Sequence, residues 1–475
     1  MTHSTPPAPG RRTANRARGT GIDLTTVLAV VLPIVCALAL LAVKPGDVPD
    51  EQHPPTRTTL TSSTLVCPSA LPDAPTIGLT TTARDVAGQV TVGLGKDPKP
   101  ADVATDTVTT LDDPDALAVT GEDETAPGLA ASRFGGDELA VAGCLPPAAH
   151  EWFTGVGAGA GHTSVLELTN PDAGTAVADV TVLSGAGVVD APQLRGISVP
   201  GASSIQLDLG KILPRRGDLA LEVVTARGRV GADVLDRVDR VGSSPLTQDW
   251  LPSQADPART NLLMGLADGA GRRSVVIANG GPDEVRAEIK IVSEDSVFSP
   301  KGLDEVRIPP QSVVRVTVSS VIAEAIKDGA LGLQVTASEP VTATLRSQVG
   351  KDLSHAVSGV PVTGAATAVL PGGVAKGPKA TKVSVVLAGA TRTGTVTVVS
   401  RAADGSELDR TTVDVTPGRG FTIPVPAAAV QLTVTPAKAA VTGSVLVTRQ
   451  GSTAVLPLTV PVTSGLVPDV RPGLS

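Results

Sequence analysis

Two kinds of hydrophobic pattern divide this chain. From Leu24 to Val43 the run LTTVLAVVLPIVCALALLAV carries no charge, and at roughly 1.5 Å per residue a helix of that length crosses about 30 Å of hydrocarbon. From Leu60 onward, apolar and polar residues alternate in short runs, the period-two pattern of strands with one buried and one wet face. The first pattern predicts one membrane helix, and the second a mainly β exported part.

The second pattern repeats. SVLEL from Ser164, SVVIA from Ser274 and SVVLA from Ser384 stand 110 residues apart. Each is followed by a second strand (ADVTVLS, AEIKIVS, GTVTVVS), a Pro or Gly turn with a further strand, and a hairpin-like pair. In the middle unit SSVIAEAIKDG from Ser319 has room for a short helical crossover. Six or seven strands in about 90 residues predict tandem immunoglobulin- or fibronectin-like sandwiches, placed at 151–243, 255–350 and 365–463. A propeller is the competing architecture, but its blades run to about 40–50 residues and the repeat is too long for one. Residues 59–150 alternate only in fragments and predict a small divergent β-domain. The joints are expected near Val241–Asp256 and Val349–Ala366, with a tail at 464–475.

Charge orients the anchor. Arg11, Arg12, Arg16 and Arg18 precede the apolar run in a tail spanning 1–23, with no acid before Asp23, and such an excess holds a flank in the cytoplasm. The bulk of the chain then lies outside the cell membrane, behind a Pro-rich stalk at 44–58. A cleaved signal peptide ending near Ala37, Ala39 and Ala42 is the competing reading; the length of the run favours an uncleaved anchor. With 39 basic against 47 acidic residues, nothing recruits nucleic acid. Two Trp, four Phe and no Tyr leave few aromatic platforms for a ligand.

Cys67 and Cys144, an isolated pair in an oxidising compartment, are expected to form a disulfide. The acidic loop containing Asp112, Asp113 and Asp115 lacks calcium-loop spacing and reads as solvated. The glycines at 155, 157, 159 and 161 lead into a strand rather than a helix, so they read as a turn and not as a phosphate loop. His162 beside Ser164 suggests a nucleophile and its base, but stepping by 110 puts Arg272 and Lys382 at the His position, which points to a surface cation. His150-Glu151 lacks the second His of a zinc-protease motif. No catalytic residue, metal site or cofactor is therefore expected. Trp152, Phe153 and Trp250 lie at the joints, either as interdomain packing or as a partner-binding patch.

The basic tail, the single apolar helix, CPSA from Cys67, Cys144 followed by WFTG, LTNP from Leu168 and VPGAS from Val199 together resemble the actinobacterial membrane-anchored family catalogued as domain of unknown function 5719. The resemblance implies a cell-envelope setting, alongside surface glycan assembly, and brings no catalytic residues with it. The Asn at 170 and 279 has no counterpart in the last repeat. The expected function is a non-enzymatic, single-pass envelope protein whose β-repeats are a scaffold or binding surface for envelope proteins or wall polymer. The alternative is an accessory component that positions a partner enzyme in a surface glycan or lipid-linked pathway.

Overall fold

The computed structural model describes residues 24–42 and 55–467, apart from 73, 96, 136–138, 240–245, 255, 375 and 378–379. Two compact bodies are distinguished, one of residues 1–56 with 466–475 and one of residues 57–465. In the first, Leu24–Ala42 is α-helical through Pro33, as the apolar run predicts. Val43 and the side chains at 24–26, 30, 37 and 40–42 lie outside the description, and among the described residues no helix is long and apolar enough to cross a membrane. The tail with Arg11, Arg12, Arg16 and Arg18 and the stalk up to residue 54 are likewise outside it.

Residues 57–465 contain four modules of one topology, at 62–144, 150–251, 258–357 and 366–457. Each has eight strands in chain order, some of them split or fused, arranged as two hydrogen-bonded rows. In the first module, strands one, six, three and four (Ser62–Cys67, Leu117–Glu122, Ala87–Val92, Lys99–Ala104) make one sheet. Strands five, two, seven and eight (Thr109–Asp112, Thr76–Thr81, Leu129–Gly135, Ala140–Cys144) make the other. The fourth module repeats both orders, from Ala366–Val369 to Ser452–Pro457. In the third, strands six and seven run on as the single strand Ala330–Val349, which joins both rows. In the second, the end of His150–Gly159 pairs with His162–Asn170 and fuses the rows there. Apolar side chains from both rows of a module meet in one core, such as Leu65, Val90 and Val119 with Ile77, Leu79 and Leu129 in the first.

The region expected to be divergent is thus a fourth copy. The expectation of sandwiches in simple tandem also needs correcting, because the modules close into a ring. The eighth strands, Ala140–Cys144, Thr247–Leu251, Asp352–Val357 and Ser452–Pro457, lie against one another around its axis, each module touching the next and the fourth touching the first. Apolar seams join the neighbours: Leu71, Ala74 and Ala140 with Trp250; Trp152, Leu183 and Ala220 with Val276, Ala278 and Val313; Leu262, Met264 and Val292 with Val386 and Ala388. Val108, Phe134, Leu139 and Val141 of the first module run into the core of the fourth. The result is a four-bladed, propeller-like arrangement in which each blade has two rows of strands, and so accommodates the long repeat.

Two strands at the axis fall in segments read from the sequence as joints, Thr247–Leu251 and Asp352–Val357. The repeat register also needs adjusting between the first two of the matched strands. Leu166 and Leu168 point into their core where Val275 and Ile277 do, an offset of 109, so Ser164 corresponds to Arg273 and His162 to Gly271. A slip of one residue exchanges the faces of a strand. The correct register explains the repeated Asn: Asn170 donates to the carbonyls of Gly174, Val199 and Pro200, and Asn279 to those of Asp283, Ile308 and Pro309. Both Asn side chains also accept from the backbone two residues on. Thr81 accepts in the same way from Ala83 in the first module.

Candidate functional site

A cleft of about 510 Å³ opens between the first and second modules. Its walls are Ser69, Val92 to Leu94, Asp97, Lys99 and the acidic loop of the first module, with Glu167, Ser203, Ser204 and Gln206 of the second. Glu167 sits on His162–Asn170 between two core leucines, so its side chain points away from its own core and beneath the first module. It is 6% exposed and accepts from Ser69 N at 2.7 Å, Ser69 Oγ at 2.5 Å, Ser204 Oγ at 3.0 Å and Gln206 Nε2 at 3.1 Å. Such a carboxylate is a fixed acceptor, because Ser204 and Gln206 are held by a strand and Ser69 follows closely on the disulfide-tied Cys67.

The opposite wall is pinned by Arg133. This arginine is fully buried and donates to the carbonyls of Pro75, Asp113 and Asp115, at 3.1, 2.5 and 2.7 Å. Burial lowers its pKa to about 10, with Asp113 and Glu167 among the acids acting against the shift. The loop read as solvated is therefore anchored from beneath, while Asp115 and Asp97 stay exposed on the cleft. Behind Glu167, Asp233 is pushed well above the ordinary carboxylate range by burial and by the nearby Glu167 and Glu151. Burial likewise raises Glu151 to about 7, against the hydrogen bond from Ser253. Hydroxyls, an amide and carboxylates together suit a hydroxyl-rich ligand, for which they offer both donors and acceptors. No group of three metal-ligating side chains occurs among the described residues.

A second cluster of polar groups is sealed between modules two and three. Asp236 Oδ1 accepts from Ser164 Oγ at 2.6 Å and pairs with His162 Nε2 at 2.8 Å; its Oδ2 lies 3.0 Å from Nε2 of His355, on the third module's axis strand. Asp249 Oδ2 stands 3.6 Å from Nδ1 of the same ring. Arg346 bridges to His162 at 2.9 Å and to Asp218 at 3.0 Å. Burial works against ionising both members of the central pair. The two histidines nevertheless hold Asp236 well below its ordinary value, and the two aspartates raise His355 to about 9. Ser164 donates to the aspartate and accepts from Gly157 N, so the histidine is not its base. A serine nucleophile requires that hydrogen bond.

The disulfide between Cys67 and Cys144 is present and ties the first strand of module one to its axis strand. Trp152, Phe153 and Trp250 are 4, 1 and 5% exposed and offer no surface to a partner. Trp152 and Trp250 fill seams and Phe153 fills the core of module two. Gly280 lies where a Cβ would come 2.8 Å from the Trp152 ring, which is why this seam needs a glycine. Gly155, Gly157 and Gly159 belong to the strand His150–Gly159, so the turn starts only after them. The sequence reading passed over Glu167, Gln206, Asp236 and His355. The one available signal was an acid flanked by leucines in a buried strand.

Comparison with known proteins gives a family but no activity. The model of a "Family of unknown function (DUF5719)" matches residues 103–426. No curated protein matches. Among solved structures, the Streptomyces avermitilis alpha-L-rhamnosidase complexed with L-rhamnose aligns at 10% identity, over 87% of this chain and 57% of that one, with a TM-score of 0.12. The chain thus spans little more than half the length of that enzyme, and a likeness at this score decides neither fold nor activity. The family match, covering most of the ring, makes this chain a member of the DUF5719 family, whose function is unknown.

Proposed function

We propose that this chain is a non-enzymatic, single-pass envelope protein whose ring stands outside the cell membrane as a scaffold that binds wall polymer. The anchor is the helix Leu24–Ala42, held with its N-terminus inside by the four arginines before it. The cystine between Cys67 and Cys144 fits an oxidising compartment. Each module is read as an immunoglobulin-like variant. If its first strand is taken as strand B of that fold, the pairings B–E–D and C–F–G correspond to strands one, six and three and strands two, seven and eight, with strands four and five added at the edges.

The observation that carries the binding role is the cleft between modules one and two, where the fully hydrogen-bonded Glu167 fixes one wall and Arg133 the other. Such preorganised polar walls suit repeated hydroxyls of a glycan, since little ordering remains to be done on binding. The test is retention of wall polymer by the detergent-solubilised full chain, compared with the variant D97N/D115N/Q206A. Hydrogen bonds to charged groups contribute about 1.5–3 kcal/mol each, so losing two should weaken binding about a hundredfold or more. Unchanged retention would exclude this cleft. Recovery of a glycosyltransferase, rather than polymer, by crosslinking in intact cells would favour the accessory role.

A further inference from the structure

A different cleft, of about 420 Å³, lies between modules two and three, on the surface side of the sealed histidine–aspartate cluster. It is lined by the turn Ser184–Ala186, the segment from Arg215 to Leu219, and Val313 and Arg315 of module three. Three arginines face one acid here. Asp218 is already engaged on both oxygens, by Arg346 Nη2 at 3.0 Å and Arg315 Nη1 at 3.3 Å. Asp218 is thus shared between the buried Arg346 and Arg315, and it pairs with neither Arg215 nor Arg216.

Arg215 and Arg216 are exposed and have no ion-pair partner among the described residues. Arg215 is held at φ 63°, the left-handed region, in the turn entering the strand Arg216–Arg227. A backbone value that disfavours side chains persists only where the surroundings impose it. Two uncompensated arginines, one in the turn and one opening the strand, thus line the same cleft, and Arg315, which pairs with Asp218, lines it from the neighbouring module. Lysines would give point charges, but guanidinium groups give forks of N–H donors matched to the oxygens of a phosphate.

We propose that the cleft between modules two and three binds a phosphate group, gripped by Arg215 and Arg216 with Arg315 completing the site. The ligand is a phosphate monoester or diester, carried by a membrane lipid headgroup or by a soluble or polymer-borne phosphate. The proposal is independent of the carboxylate-lined cleft and stands or falls separately from it.

The test uses the full chain in nanodiscs and follows arginine modification by phenylglyoxal with mass spectrometry. In phosphatidylcholine discs, inorganic phosphate or glycerol 1-phosphate should protect Arg215 and Arg216, and glycerol should not. Protection that instead requires phosphatidylglycerol discs assigns the site to a lipid headgroup; either pattern supports the proposal. The protection should weaken with rising salt, as expected of an exposed electrostatic site. In a titration of the protecting ligand, R215Q/R216Q should bind at least tenfold more weakly and R215K/R216K should retain part of the affinity, with thermal unfolding unchanged in both. Failure of every probe to protect, equal protection of Arg195 and Arg259 elsewhere on the surface, or undiminished binding by R215Q/R216Q would overturn it.

Discussion

The seam between modules two and three and the seam between modules three and four join copies of one topology, yet they are made of different material. The second is mostly apolar: Leu262, Met264 and Val292 pack on Val386 and Ala388, with the partly buried Val297 and Leu331 at the margin, although nearer the axis the buried Asp352 accepts from Thr453 N at 2.7 Å. The first has its own apolar patch around Trp152, but beside it lie the contacts of Asp236 with His355, of Arg346 with His162, and of Thr154 Oγ1 with Thr342 Oγ1 at 2.6 Å. An apolar seam tolerates small shifts because its attraction is non-directional. A hydrogen-bonded charged seam does not, and it is costly when half of it is removed. The ring therefore has one joint set mainly by shape and another set mainly by charge geometry.

The largest effect should come from breaking the charged seam. In Asp236→Ala the buried His355, His162 and Ser164 all lose their acceptor, and uncompensating a buried pair costs about 3–5 kcal/mol. Hydrogen exchange at the amides of Asp352–Val357 should rise accordingly, and the denaturant midpoint should fall. A loss below about 1 kcal/mol would mean that charge geometry does not hold this joint.

The next effect is Met264→Ala at the apolar seam. Truncating a buried Met costs about 2–5 kcal/mol through lost burial and the cavity left behind. Here the loss should vary little with pH, because Met264 itself packs only on apolar side chains in that cluster. The loosened exchange should centre on Thr381–Ala388 and leave the amides around Asp236 protected. If both seams open together in either variant, the ring is a single cooperative unit and the contrast between its joints has no energetic meaning.

How legible each region was follows from the same contrast. Strands with one wet face, such as Val285–Ser293 and its copies, showed in the alternation of apolar and polar residues, and so did the repeat and the disulfide. The axis strands did not. Thr247–Leu251 (TQDWL) and Asp352–Val357 (DLSHAV) are almost wholly buried although half their residues are polar, because neighbouring modules supply the partners. Apolar periodicity reports burial against a module's own core and is blind to burial at a polar seam. Ring closure was hidden for this reason, and so was Glu167, whose four hydrogen bonds include two from a residue 98 positions away. The first module escaped recognition as a copy because its second strand, Thr76–Thr81 (TIGLTT), lacks the Ser-Val run on which the other three align, although Thr81 accepts from the backbone two residues on as Asn170 and Asn279 do.

The smallest effect separates the seams without any mutation. His355 is raised from 6.5 to about 9 in the folded chain, so it binds its proton more tightly there than when unfolded. The stabilisation from its pairing is complete below about pH 6.5 and fades as pH rises through about 9, on the order of 3 kcal/mol if the whole span is traversed. The groups facing it are Asp236 and Asp249, and Asp236 remains ionised well below the usual carboxylate range, so mild acid should not undo the pair from the other side. Raising the pH from 7 to 9.5 should therefore speed opening of the seam between modules two and three, beyond the intrinsic increase in exchange rate. The apolar seam should keep its protection. In His355→Gln the alkaline loss should flatten while stability at pH 7 falls, since the neutral amide can still donate to Asp236 but brings no charge. An alkaline response of equal size at both seams would assign the effect to the ring's overall charge and not to this histidine.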